Sequence, residues 1–462
     1  MRIMIIGNDP GEIGGVANYT RPLASELARQ GHQVFYLWSG AFAMDYDWRI
    51  GPYLRVDRFS FPFEGAEIVN SEVGAYNYLE PERDITCDSS ERLIARYMDR
   101  VKPDVMHVHS RLGLPASVFG LAARRGVKVF NTVHVYGMLC PRRVMIDRWG
   151  ANCDGPYDLG KCARCVGGID LRLGRKRLVA RVGVLGSMSL KVWSILKRMG
   201  DREERGPRTE EVGASELRSA QRSLEDRLAY MVGAANNEIT ANICVSSDVK
   251  KTLQRYGVRE NKLLVQHIGS EVASRQVIGG KSAHNPLIIG NIGGAGYYKG
   301  TQVLVEAVQR LDRAKVLVKV YGKYDDSFVA DLRRHAVRVP VEFLGRYEPS
   351  DLPGILGQID VMILPSICND TAPQTIFESF SAAIPIIASD KGGFPDFITE
   401  GLNGYLFRQG DASDLADKIE LILEHPEIVK SMSEYVPRLK TMPENAKELI
   451  ELYQKQGENI CG

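Results

Sequence analysis

The chain has 462 residues, of which 44% are apolar and 25% charged, and a formal net charge of +2. That length excludes a single small module and sets an expectation of two domains, each burying a core of its own. The near-zero charge excludes a global attraction to nucleic acid, so any basic surface must be local.

The opening MRIMIIGNDPGE has one basic residue and a short apolar run ahead of Asp9, which reads as a first strand and not as a secretory signal. No stretch has the length and apolarity of a membrane span, and the expected compartment is the cytoplasm. The next elements alternate: strand RIMIIG, loop NDPGEIGG, helical VANYTRPLASELARQ ending at Gly31, strand QVFYLW. The runs DVMHVHS and KVFNTVH, joined by helical LPASVFGLAARRG, continue a parallel sheet. His107 and His109 share one face of the first of these runs; with no acid or cysteine beside them they read as core or rim residues.

Half of the eight cysteines fall between Cys140 and Cys165, which is not the even pattern of a secreted disulfide scaffold. Cys140, Cys153, Cys162 and Cys165, with one CxxC knuckle, have the number and type of ligands of a closed structural zinc site. Reduced cysteines packing the loop, an iron–sulfur cluster and disulfides are the other readings. Residues 171–200 then carry eight Lys or Arg and no acid, with Leu178, Val182, Leu185, Val192, Leu196 and Met199 on one helical face. This fits an interfacial helix drawn to the inner face of the plasma membrane and a lipid-linked acceptor. It fits equally a helix packed on the first domain with solvated arginines, weakened by Gly183 and Gly186. The segment GDREERGPRTEEVGASE reads as an exposed loop, SLEDRLAYMVGAA as a helix, and ITANICVSS and KLLVQHIG as the strands that end the first half. The polar VASRQVIGGKSAHN is the expected linker.

The second half is regular: PLIIGNIG, KVLVKVYG, VEFLG, VMILPS, IPIIAS and GYLF are separated by helical segments such as TQVLVEAVQRL and DASDLADKIELILE. Strict rotation of strand and helix predicts a second doubly wound parallel sheet, whose ligands would sit at the carboxyl ends of its strands. The expected boundaries are 1–275, with a cysteine-containing and basic insertion over about 138–230, then 283–440, then a last helix over 441–462.

Two stretches in this half carry chemistry. DTAPQTIFE follows the run VMILPS, with Asp370 and Glu378 eight positions apart and Pro373 suited to the first turn of a helix over about 373–383. Glu378 would lean back towards Asp370, and the backbone donors near Ala372, Pro373, Gln374 and Thr375 would seat a phosphate between them. The plainer reading is that Asp370 caps the helix and Glu378 is solvated. In GNIGGAGYYKGTQVL, Gly293 and Gly294 permit close backbone approach, and Lys299 is a point charge at a helix start, suited to a diphosphate. An ordinary turn with a surface lysine would look the same.

Together, DTAPQTIFESFSAAIPIIASDKGGFPDFITEGLNGYLF, NIGGAGYYKG, VEFLGRYEPSDL, GEIGGVANYTRPLASELARQGHQV and VHVYGMLCPR resemble, in order, the motifs of glycosyltransferase family 4. The resemblance implies an α/β protein of GT-B type, with two Rossmann-like domains facing across a cleft, that retains anomeric configuration. It implies that Glu378 binds the ribose of a nucleotide-sugar, Asp370 the hydroxyls of the transferred sugar, and Lys299 the diphosphate. It also implies that Gly14 and Gly15 approach the donor from the first domain, that His134 lies beside the sugar, and that Arg346 and Tyr347 face the base. No catalytic metal is expected. The chain departs from the family where Asp370 replaces the usual glutamate, Gly294 an arginine, and Val135 an aspartate. The expected function is sugar transfer from a nucleotide-sugar to a glycan or lipid-linked acceptor in cell-surface polysaccharide or glycan assembly. A nucleotide-sugar epimerase and a non-catalytic nucleotide-sugar-binding or partner-binding protein are the alternatives.

Overall fold

The computed structural model describes residues 1–12, 14–40, 51–57, 61–73, 82–153, 158–167 and 214–455. The basic stretch 171–200, and with it the lipid reading, lies outside the described residues.

Two sheets organise the chain. The first contains β1 (Arg2–Ile6), β2 (Gln33–Ser39), β3 (Tyr53–Asp57), β4 (Glu64–Val69), β5 (Val105–Val108), β6 (Lys128–Val133), β7 (Ala241–Cys244) and β8 (Leu263–Val265). Their order is β3-β4-β2-β1-β5-β6-β7-β8, parallel except where β3 pairs antiparallel with β4 at the edge. The central strands β1 and β5 are buried along their length except at Arg2, as expected of a parallel sheet covered on both faces. The edge pair β3–β4 was not expected from sequence. Glu64 and Glu67 interrupt its apolar pattern, and only pairing across the strands brings Arg55 to the buried Glu67 carboxylate.

The second sheet contains β9 (Leu287–Ile292), β10 (Val316–Tyr321), β11 (Val341–Gly345), β12 (Val361–Leu364), β13 (Ile386–Ser389) and β14 (Gly404–Phe407). It is wholly parallel, in the order β11-β10-β9-β12-β13-β14. The chain runs from β9 outward through β10 and β11, then returns to β12 on the other side of β9. The gap between β9 and β12 is therefore the switch point of the sheet, where the loops above adjacent strand ends diverge and leave a crevice.

One buried apolar cluster runs from Ile3 and Met106 in the first sheet to Phe377 and Phe380 beside the second, and takes in Leu449 and Tyr453 of the last helix, Met442–Gln454. That helix starts with a capping box between Thr441 and Glu444. It then presents buried polar groups to the first sheet and its first helix, Gly15–Arg29. Asn445 Oδ1 accepts from the Tyr19 hydroxyl at 2.9 Å and from the Gly269 N–H at 2.8 Å. The Tyr453 hydroxyl meets His107 Nδ1, and Lys128 donates to the Tyr453 carbonyl.

Asn445→Ala leaves two buried donors without their acceptor, so a loss of about 2–4 kcal/mol is expected. Urea unfolding monitored by near-UV circular dichroism measures it; an unchanged midpoint would show that water satisfies both donors.

Candidate functional site

The two stretches singled out in the second half stand side by side at the switch point. GGAGYYKG leaves the carboxyl end of β9, and the loop bearing Asp370 leaves that of β12. Lys299 Nζ reaches Asp370 Oδ2 at 2.7 Å, although the residues are 71 positions apart. The Ser366 hydroxyl also donates to that oxygen, at 3.2 Å. The Asp370 carboxylate holds Lys299 above its ordinary pKa, so the lysine is charged.

Helix Gln374–Ser381 begins with Pro373 at the capping position, in extended conformation and without a side-chain cap. It is shorter than the expected 373–383 because Ala383 turns into left-handed conformation, at φ 55°. A Cβ built on Gly293 would lie 3.5 Å from Thr375 Cγ2, so the glycine turn after β9 rests against the uncapped helix start. Backbone donors and Lys299 thus occupy one corner, a natural seat for an anion.

Glu378 is half-buried one turn further on, and burial pushes its carboxyl up to about 7. Tyr347 lies close enough for Glu378 to raise its phenol further, after the larger effect of burial. Tyr347 packs edge-on to Tyr321 at 6.3 Å between ring centroids, while Arg346 is exposed. Glu378 is therefore not the solvated charge that the plainer reading supposed, and Asp370 does not cap the helix.

Across from these groups, the carboxyl ends of the neighbouring strands β1, β5 and β6 carry Gly14 and Gly15, His109, and His134. Gly14 occupies the capping position of the first helix. His134 is buried; its Nε2 is 3.1 Å from His109 Nδ1 and its ring lies 5.0 Å from Tyr19. Burial pushes His134 down to about 3, so it is neutral at physiological pH. The Thr371 hydroxyl donates to the His134 carbonyl at 2.6 Å and joins the two sides.

His107 and His109 are indeed buried, but sequence reasoning missed that His109 stands beside His134, because the pairing of β5 with β6 creates that contact. It also missed the support beneath Asp370. The Gly393 N–H donates to the Asp370 carbonyl at 2.7 Å, and a Cβ on Gly392 or Gly393 would collide with the backbone of Asp370 or Thr371. The doubled glycine of DKGGFPD is the local signal that could have pointed there.

The four cysteines do not form the expected metal cage. Among the described residues no group of three or more His, Cys, Asp or Glu is arranged to hold a metal ion. Cys140 and Cys153 pack on the main core, while Cys162 packs with Ala163, Val166 and Leu224 in a separate cluster. Cys165 accepts a hydrogen bond from Arg142. Burial, and then the nearby Cys140, push the Cys153 thiol up to about 11.

The raised Glu378 carboxyl has a sign that can be checked. Between its ordinary value of 4.5 and about 7 the folded protein holds a proton that the unfolded chain releases. The thermal stability of the ligand-free protein, taken relative to Glu378→Gln, should fall as pH rises through that window and level off above it. Parallel melting curves of both proteins across pH 4–9 test this, and a pH-independent difference would contradict it.

Comparison with known proteins fits this geometry. Residues 276–439 match the family described as glycosyl transferases group 1, and residues 14–189 match a glycosyl transferase 4-like domain. The sulfoquinovosyl transferase SQD2 of Arabidopsis thaliana is 29% identical over 31% of this chain and 27% of its own length. An uncharacterized glycosyltransferase of Methanocaldococcus jannaschii, MJ1178, is 22% identical over 46% of this chain and 57% of its own. The matches thus span less than two thirds of these curated relatives. Among solved structures, Anabaena HepE in complex with UDP superposes with a TM-score of 0.61 at 14% identity, over 98% of this chain and all of that one. With both halves matched and the two-sheet architecture shared, the chain belongs to the GT4-type glycosyltransferases of GT-B fold.

Proposed function

We propose that this chain transfers a sugar from a nucleotide-sugar to an acceptor hydroxyl with retention of anomeric configuration, in the assembly of a cell-surface polysaccharide or glycan. The observation that carries the reading is the convergence of Lys299, the uncapped helix start and the two acids at one switch point. A diphosphate on the helix donors and Lys299 would place a ribose near Glu378 and a sugar near Asp370, as the named motifs imply. Tyr347 and Arg346 would then border the base, and Gly14, Gly15 and His134 would close over the donor from the other side. Solved HepE also exists in complex with UDP-glucose, which makes that compound the first donor to try.

Chemistry in this arrangement is electrostatic. As the anomeric C–O bond breaks, its electron pair moves to the departing diphosphate, and Lys299 with the helix N–H groups stabilises the charge that develops. The acceptor hydroxyl attacks from the face that the diphosphate leaves and gives its proton to a diphosphate oxygen, so no protein nucleophile is needed. His134, neutral, adds no positive charge beside the sugar. Closure of the two halves would exclude water and protect the donor from hydrolysis.

The acceptor is a glycan or lipid-linked glycan in this reading, used on the cytoplasmic side of the membrane. Among the described residues no helix is long and apolar enough to cross a membrane. Association through residues 171–200 rests on their composition alone, and co-sedimentation with anionic vesicles at low salt tests it.

Asp370 neutralises Lys299 before the donor arrives, which gives a distinctive expectation. Lys299→Ala should weaken nucleoside diphosphate binding by about tenfold or more, measured by calorimetry with UDP, GDP and ADP. Asp370→Ala should leave that affinity equal or higher, because it removes a competing anion, while transfer from the matching nucleotide-sugar drops by about a hundredfold. Weaker diphosphate binding in Asp370→Ala would sink the assignment. Product analysis without acceptor separates transfer from epimerisation.

A further inference from the structure

The loop after His134 carries a cation that the site described above has not used. Residues 136–143 close on themselves: the Cys140 N–H donates to the Tyr136 carbonyl, the Arg143 N–H to the Cys140 carbonyl, and the Tyr136 N–H to the Arg143 carbonyl. The buried Arg227 fastens this loop from behind. Its guanidinium donates to the carbonyls of Gly137 and Met138 while pairing with Asp84 at 2.7 Å. Asp84 is held well below the usual carboxylate range by Arg111 and Arg227, against the opposing effect of burial, so the anchor stays ionised.

Arg142 is presented on this fixed platform towards the second half of the chain. Its Nη2 donates to the Tyr298 hydroxyl at 3.0 Å, and its Nη1 to Cys165 Sγ at 3.4 Å. Tyr298 precedes Lys299, and its carbonyl accepts from the Ile367 N–H in the loop that leads to Asp370. Asn152 adds a second tie to the same place, donating to the Ile367 carbonyl at 2.7 Å. The loop therefore meets the second half directly at the turn that bears Lys299.

Two charge facts give that contact a purpose. Arg142 is half-buried, yet among the described residues it pairs with no carboxylate, and its two acceptors, the Cys165 sulfur and the Tyr298 hydroxyl, leave most of its five donors unused. A partly desolvated cation without an anion favours binding one. The turn after β9, in contrast, is short of charge. Lys299 is already matched by Asp370, and position 294 cannot carry a cation: Gly294 has φ +99°, and an added Cβ would lie 2.5 Å from the Lys323 carbonyl oxygen.

We propose that Arg142 is the second cation of the donor site, reaching from the first half onto the diphosphate that Lys299 holds from the second. This rests on the donor-binding reading above. The guanidinium exchanges the Tyr298 hydroxyl for phosphate oxygens, which it grips in a fork that a lysine cannot reproduce. Because it comes from the opposite half, the full positive charge is assembled only when both halves meet at the cleft. The leaving group is then stabilised most in the closed form.

Calorimetry with UDP, GDP and ADP, each compared with its nucleoside, tests this on the full chain as wild type, Lys299→Ala, Arg142→Gln, Arg142→Lys and Arg148→Gln. Arg142→Gln should weaken the tightest diphosphate by about tenfold or more and leave its nucleoside unchanged, with partial recovery in Arg142→Lys. Arg148, which bonds the Arg164 carbonyl and lies over Trp149 on the same loop, should be silent. Equal losses for diphosphate and nucleoside would reveal a structural role and overturn the assignment. Wild-type diphosphate affinity in both Arg142 variants, with a loss in Lys299→Ala, overturns it while leaving the donor site intact. Wild-type affinity in Lys299→Ala removes the donor-binding reading and this inference with it.

Discussion

The site depends on one topological constraint, the parallel pairing of β9 with β12. Val361 stands opposite Ile289 and Met362 opposite Gly290, so both strands end at the same level on one edge of the sheet. The positions of Lys299, Asp370 and Glu378 follow from that alignment. The glycine turn and Lys299 are set beside the Asp370 loop, and the helix carrying Glu378 starts against Gly293. Slip this register by one residue and each strand turns its other face to the core. The Asn291 side chain on β9, which donates to the Ile363 carbonyl of β12 at 2.8 Å, ties the two strands in this register.

A second constraint joins the halves. The last helix plugs polar groups into the first sheet, and the Thr371 hydroxyl grips the His134 carbonyl at the mouth of the cleft. Between these points the electrostatics divide cleanly. The first half contributes buried neutral imidazoles and the Arg142 guanidinium, which among the described residues pairs with no carboxylate, while the second contributes an ion pair and a proton-holding acid. In the ligand-free protein the Lys299–Asp370 pair satisfies both charges at once. A ligand that carries both phosphate and sugar hydroxyls can separate them without leaving either unmatched, and a bare anion cannot, which is a physical route to preferring the whole donor over its parts.

The parts of this picture that were legible beforehand are the ones encoded locally. The βαβ opening and all six strands of the second sheet announce themselves through branched apolar runs and intervening helical periodicity, as LIIGNI and VLVKVY do. Lys299, Asp370 and Glu378 could be singled out because each sits in a short motif whose turn and helix chemistry is readable in place. The edge pair β3–β4 was not readable, since Glu64 and Glu67 make sense only with Arg55 opposite. The cysteine group shows the limit of spacing: it suggests a common ligand, but among the described residues no set of three or more ligands is arranged to hold one, and Cys162 packs with Leu224, which is distant in sequence.

By itself, the sequence determined the two-sheet α/β plan, the order of the elements, and the identity of the acids and the lysine at strand ends. Burial and turn chemistry act over a few residues, so a local pattern suffices for these. Only the tertiary structure decided which charges meet. That Asp370 neutralises Lys299, that His109 backs His134, that Glu378 is buried enough to hold its proton near neutrality, and that Arg142 arrives from the other half are all consequences of strand order and loop packing. Coulombic and desolvation effects are set by distances between atoms far apart along the chain, and those distances exist only once the chain has folded.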